Sequence, residues 1–576
     1  MNLDKQSIVA IALGVLALIG WYVFGPKMLP PAPVPAKPEI VRETPARPTE
    51  TAPKTPVAVT PARPKLPALA PVALTGPLTD FVFAPSTGTL ERVTLRDYLD
   101  ADHRKPIAIT NEYPELAGAA AEFGAFGIRG ARGELTVLRV VENRKIGDRE
   151  YRLVRQMSGA TPGTEFLLEE TWRVADGRGL TCDLRIVNPY NAEIRIPGMI
   201  VSAGDLPSWD RLSGDRRSSS QETHSFDYCT EEGKVKSVST DAKPGKLADL
   251  NMLPVRWFGV SNRFFAMLLK SDTPLALAVD RVEDPGHPGH YVATIGGELA
   301  SFVLAPEAAR EIRLDYFLGP KQPAPLRAFD DQAAKVMRLG WFPIDFLAYI
   351  MLAMLNWIHG FAGSFGWSII LLTLLVRLIF FPVTMKANAS MRDMQALGPE
   401  VKAIRDRYKS EPMVAQSKIS ELYKARGVNP LSGCLPMLIQ IPVFIALYYA
   451  LGSAVELRQQ SFWWIHDLAQ PDTVATVFGI GIHPLIIIWT GLMMVQQKLT
   501  PTAMEPMQAK MMLAMPLVML FILYDLPSGL TLYWAVSQIF SIVQMYYQQH
   551  AKKREERSNR NEASENAEKK PKIVRS

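Results

Sequence analysis

The chain has 576 residues, 48% of them hydrophobic and 21% charged, with a net charge of +6. That length allows several domains, and the three cysteines, Cys182, Cys229 and Cys434, are too few for a disulfide-built scaffold. The modest positive balance excludes little by itself, so the reading rests on where charge and hydropathy fall along the chain.

Residues 1–25 contain an apolar run from Ile8 to Phe24 behind Lys5. Bulky Trp21, Tyr22 and Phe24 stand where a signal-peptide cleavage site requires small residues, so the segment reads as a retained membrane anchor. Residues 26–67 carry 13 prolines, and 26–75 is expected to be an extended spacer, because proline fixes φ and removes backbone donors.

From 76 to 325 the texture alternates. In "EIRLDYFL", Ile312, Leu314 and Tyr316 alternate with charged residues; in "CDLRI", Cys182, Leu184 and Ile186 do the same. Period two predicts half-buried antiparallel strands, and "VADGRG" and "DPGHPGH" read as turns between them. A large all-β sandwich is expected, in which Cys182 and Cys229 are open to either pairing or remaining free. His287 and His290 have metal-like spacing but no third ligand nearby. No phosphate loop, nucleophile elbow or Cys pair at metal spacing occurs, so no enzyme activity, catalytic residue, metal or cofactor is expected.

Hydrophobic runs follow at 341–361, 368–383, 431–452, about 474–497, 507–524 and 530–547. The insert 385–430 and the tail 551–576 each carry 9 Lys/Arg against 5 Asp/Glu, whereas 453–473 has a single arginine, Arg458. The positive-inside rule places the insert and the tail in the cytoplasm. That leaves five spans within 366–550, which with the anchor gives six, both termini inside and the β-domain outside. The region 326–365 is expected to lie on the outer surface as an interfacial helix, since Asp345, Asn356 and His359 interrupt its apolar run. Within the insert, Met394, Leu397, Val401 and Ile404, then Ile419 and Leu422, recur at helical spacing, predicting a two-helix hairpin. The tail is polar enough to be disordered.

One residue stands out in the first core span. Arg377 lies inside "SIILLTLLVRLIFFPV" with no acidic residue in the segment, where an arginine costs about 2.5–3.5 kcal/mol on insertion scales. Gln440, Gln496, Gln538 and Gln544 are the neighbours that sequence offers it. Mid-span acids and repeat symmetry, which a secondary transporter would call for, are not evident. A sugar-acting membrane enzyme, with the sandwich as its catalytic domain, is the other rival.

The arginine in the first span, the charged hairpin, "NPLSGCLPMLIQIPVFIALYYAL", "ELRQQSFWWIHDL" and "LPSGLTLYW" together resemble the YidC membrane protein insertases of Gram-negative bacteria. The resemblance implies an inner-membrane protein with a periplasmic domain, and a hydrophilic groove open to cytoplasm and lipid. Arg377, Thr373, Gln440 and Trp534 would line the groove, Trp534 standing where enteric members carry tyrosine. Pro436, Met437, Ile441, Phe444, Met515, Leu517 and Phe521 would form an apolar slide for the incoming helix. The implied partners are nascent membrane proteins, the ribosome, the Sec translocon with its accessory subunits, and membrane lipids, with no role for DNA.

Overall fold

The computed structural model describes residues 69–100, 104–109, 126–131, 135–158, 163–204, 224–240, 244–283, 291–428, 435–478, 480–499 and 506–568. The expected anchor, most of the spacer, the "DPGHPGH" turn and Cys434 lie outside them. The β-domain starts a little earlier than expected, with a strand at Val72–Thr75.

Alternation in the sequence becomes, among the described residues, two large antiparallel sheets and a short two-stranded one, Ile194–Ile196 with Phe302–Leu304. The larger has twelve strands, whose main path runs Val235–Ser239, Ser225–Thr230, Pro254–Ser261, Phe265–Glu283, Ala309–Pro320, Gly179–Val187, Phe166–Val174, Glu150–Met157 and Val137–Lys145. The smaller has four strands between Val72 and Ala108. Strand Gly179–Val187 buries Leu180, Cys182, Leu184 and Ile186 in strict alternation, and Ile312, Leu314 and Tyr316 are buried on its neighbour. Period two therefore points one set of side chains into the layer between the sheets. There Phe83 of the small sheet lies 5.1 Å from Trp172 and 5.5 Å from Tyr151, ring centre to ring centre. Cys182 and Cys229 are buried and unbonded, which settles their pairing.

A charged pair sits in this apolar layer. Arg155 and Glu170 are both fully buried, with Nη2 2.8 Å from Oε2, and Arg155 Nη1 donates to the Thr87 carbonyl at 2.5 Å. Gly88 makes room for the guanidinium: at φ 73, a Cβ there would lie 2.5 Å from it.

After helices α1 (Pro244–Ala248) and α2 (Pro323–Phe329), the chain leaves the sheet through a segment bound closely to it. Arg256 pairs with Asp330 at 2.8 Å, Lys270 donates to the Phe329 carbonyl at 2.8 Å, and Arg338 pairs with buried Asp227 at 3.0 Å. The helical part comprises α3 (Ile344–Ala362), α4 (Phe365–Ala396), α5 (Gly398–Arg407), α6 (Pro412–Ala425), α7 (Leu435–Ser453), α8 (Pro484–Leu499), α9 (Pro506–Ile522) and α10 (Ser528–Glu568). Among the described residues, α3 and the segment Phe365–Pro382 are long and apolar enough to cross a membrane.

Three expectations need correction. The apolar run expected from about 474 does not begin as helix: a two-stranded hairpin, Ala475–Val477 with Ile480–Ile482, precedes α8. The helical hairpin is α5 and α6, because residues up to Ala396 continue α4. Burial of Leu397, Val401, Ala415 and Ile419 and an Arg426–Glu400 pair at 2.9 Å close α5 on α6. The tail continues α10 through Glu568 instead of being disordered. Its Ala, Lys, Arg and Glu are strong helix formers, and extending an existing helix needs no new nucleus.

Candidate functional site

Arg377 lies in α4, half-buried, with Val376 buried beside it and Leu378 and Ile379 exposed. Its Nε donates to Ser537 Oγ of α10 at 2.9 Å, and Nη2 contacts the same hydroxyl. The ion pairs found among the described residues do not include it, and none of the four glutamines takes that place. Gln440 instead donates to Tyr533 Oη at 3.1 Å, and Gln538 bonds Gln496.

Tyr533 and Ser537 are spaced i, i+4, so they project from one face of α10. That face brings the Gln440–Tyr533 contact from α7 and the Ser537–Arg377 contact from α4 together on one helix. Neither residue was singled out from sequence. Their signal was a pair of hydroxyl-bearing positions four apart in "LYWAVSQIF", where Gln538 is the only other polar residue.

The other expected groove residues divide. Thr373 is fully buried and its hydroxyl donates to Ile369 O at 2.7 Å, so its hydrogen bond stays within its own helix. Trp534 is buried, stacks on Phe444 at 4.9 Å and lies 5.0 Å from Trp489. This aromatic layer joins α7, α8 and α10 three residues before Ser537, on the side of the α10 N-terminus.

That end is closed by the loop after α7. The first amide groups of α10 lack partners within their own helix. The Ser528 amide bonds Gln470 O at 2.7 Å and the Gly529 amide bonds Leu468 O at 2.8 Å. The end of α7 and the loop are held in turn by the β-domain: Arg263 Nε donates to Gly452 O at 2.9 Å and its Nη2 to Ala469 O at 3.2 Å, while Arg458 Nη2 donates to Leu99 O at 2.5 Å. Burial lowers the Arg458 pKa to about 10 and raises the carboxyls of Glu456, Asp467 and Asp472 above their ordinary range. Toward the opposite end of α4, Phe381 is exposed along with Leu378 and Ile379.

Of the expected slide, Ile441 and Phe444 are half-buried on α7, while Met515, Leu517 and Phe521 are exposed on α9, Phe521 at 88%. The side chains of Pro436 and Met437 lie outside the described residues. α7 packs chiefly on α3 and α9 on α8, so among the described residues the two halves of the slide rest against different helices.

A family model described as "60Kd inner membrane protein" matches residues 357–556, the part holding Arg377, Ser537 and both slide helices. The membrane protein insertase YidC of Pelobacter propionicus is 29% identical over 558 residues, covering 95% of this chain and 99% of its own. The chain belongs to the YidC family. The YidC of Geobacter sulfurreducens is 34% identical over 375 residues, 65% of this chain and 66% of that protein. A crystal structure of an active YidC insertase with its first transmembrane domain resolved aligns at 20% identity and a TM-score of 0.35, over 84% of this chain and 93% of that one. The match to the Pelobacter YidC takes in the β-domain as well as the helices.

Proposed function

We propose that this chain inserts nascent membrane proteins into the bacterial inner membrane through a polar site centred on Arg377. The anchor, α4, α7, α8, α9 and α10 would cross the bilayer, with both termini and the α5–α6 hairpin in the cytoplasm and the β-domain in the periplasm. The basic excess of 385–430 and 551–576 supports that orientation. α3 would lie along the outer surface despite its apolar length. In support, Tyr349 of α3 accepts a bond from Arg327 at 2.9 Å and the same guanidinium lies 4.8 Å from its ring centre, which ties the helix to α2, an element outside the membrane.

The observation that carries the reading is that Arg377 is held by a neutral hydroxyl, with no ion pair to its charge among the described residues. A cation fixed by Ser537 attracts acidic or polar flanks of an incoming chain without having to break an ion pair first. The aromatic layer and the loop at the α10 N-terminus favour a site sealed on the periplasmic side. Exposed Leu378, Ile379 and Phe381 favour access from the other side and from lipid. The packing of α7 on α3 and of α9 on α8 supports lateral exit between α7 and α9, along Phe444, Leu517 and Phe521. The basic cytoplasmic segments fit contact with the ribosome, and the outer surfaces fit work beside the Sec translocon.

Photo-crosslinking residues at 444, 517 and 521 would test this, with ribosomes stalled on a short membrane-protein chain. Positions 487 and 495, exposed on α8, serve as controls. Adducts confined to the slide positions are expected. Equal labelling of slide and control positions, with ribosomes bound, overturns the path.

A further inference from the structure

The hairpin Ala475–Ile482 combines a fixed base with an uncovered apolar tip. At the base, Tyr524 Oη donates to Gly481 O at 2.7 Å, His483 lies 4.7 Å from the Tyr524 ring, and Thr473 Oγ1 is 3.2 Å from His483 Nδ1. Asp472 accepts from the Leu485 amide at 2.7 Å and from Trp464 Nε1 at 3.0 Å, tying the hairpin's root to the first turn of α8. The strands pair Val477 with Ile480, and Phe478 opens the turn at φ 49. At the tip, Val477 is 47% exposed, Ile480 63% and Phe478 100%; Val474 near the base is 49% exposed.

We infer that this hairpin is a membrane-contacting prong whose tip sits among the lipids of the periplasmic leaflet. The inference rests on the spanning reading of α8 and α9. Three observations select lipid as the occupant. No Asp, Glu, Lys or Arg occurs from Thr473 through Gln497, so the prong and α8 form one uncharged stretch. Apolar exposure also resumes beyond the buried base, at Ile487 and Ile488 of α8, so the tip and the first turns of the helix both present apolar side chains outward. Lengths also match. From Pro484 to Gln497, before Lys498, the helix covers about 21 Å. That falls about 9 Å short of a hydrocarbon core of about 30 Å. A hairpin of three-residue strands reaches about 10 Å. A mobile tip could fold its apolar side chains back on the protein; this one is held out by its polar base.

The test is a nitroxide attached at Phe478→Cys in the full-length chain reconstituted in bilayers, read by collision with apolar oxygen and with a water-soluble nickel chelate. Phe478 is wholly exposed, so its replacement removes no packing. The parent protein, with its native cysteines, supplies the labelling background. Val518→Cys on exposed α9 reports the span, and Met252→Cys on the β-domain reports water. The expected result is loss of nickel access at 478 with oxygen access retained, as at 518 and opposite to 252. Nickel access at 478 equal to that at 252, while 518 stays lipid-like, overturns the prong. Shielding from both reagents assigns a protein partner to the tip and also overturns it. Nickel access at 518 as well would instead refute the spanning reading beneath it.

Discussion

Replacing Arg377 by glutamine removes the charge while keeping a polar side chain able to reach Ser537. The magnitude follows from the geometry. An acidic group brought to about 6–8 Å from the guanidinium, at an effective dielectric between 20 and 80, gains about 0.5–3 kcal/mol. At about 1.4 kcal/mol per factor of ten, the variant should insert an acidic-tailed client roughly tenfold less well than the parent, within a range of about two- to a hundredfold. A client whose tail aspartates are replaced by asparagine should be nearly unaffected. The assay is reconstitution of the full chain into liposomes, with the two clients in parallel and their insertion ratio as the readout. Arg377→Lys should preserve most of the ratio. Raising salt from 0.1 M to 1 M shrinks the screening length from about 10 Å to about 3 Å and should compress the parent's ratio toward that of the glutamine variant. If Arg377→Gln lowers both clients equally and leaves their ratio unchanged, the charge does not act on the substrate and the arginine's role is structural.

Three further outcomes follow from contacts outside the spans. Arg155→Met should lower the apparent Tm by the equivalent of about 3–5 kcal/mol, because Glu170 is left as a buried unpaired charge; adding Glu170→Leu should recover most of the loss. Arg263→Ala removes the donor to Gly452 O and Ala469 O. At about 1.5–3 kcal/mol for a bond from a charged group, amides of the loop 466–472 should exchange roughly tenfold faster or more, with those of the central β-strands unchanged. Glu456, Asp467 and Asp472 have folded pKa values raised by burial, so the folded chain binds these protons more tightly than the unfolded one. Their contribution is most favourable below the ordinary carboxylate range and is lost as pH rises through the raised values. The parent should therefore gain Tm on going from pH 7 to pH 5, and Glu456→Gln should gain less.

The β-domain was readable wherever one face of a strand is buried and the other wet, as at Cys182, Leu184 and Ile186, because that alternation is written locally. The α5–α6 hairpin was readable for the same reason, at a different period. The partner of Arg377 was not. Ser537 lies far along the chain, and a single hydroxyl in an apolar helix looks like any small residue until two helices meet. The hairpin Ala475–Ile482 was not legible because an uncharged run of this composition satisfies a helix or a strand equally. Its β-branched Val474, Thr476 and Val477 beside Gly479 and Gly481 were the available signal for a hairpin. In the tail, low hydrophobicity alone points to disorder, whereas helix propensity and the preceding helix carry α10 on through Glu568.

α4 runs unbroken from Phe365 to Ala396, a rod of about 48 Å, and carries Pro382 one turn beyond Arg377. Proline deletes one rung of the backbone ladder and makes a natural pivot at that point. The inner segment is pinned by Ser537, while the segment from Pro382 to Ala396 forms an arm of about 21 Å that ends at the α5–α6 hairpin. A tilt of about 10° at the pivot would sweep the arm's far end by roughly 4 Å and leave the guanidinium where it is. The α5–α6 hairpin can thus swing while Arg377, pinned by Ser537, keeps its place in the bundle.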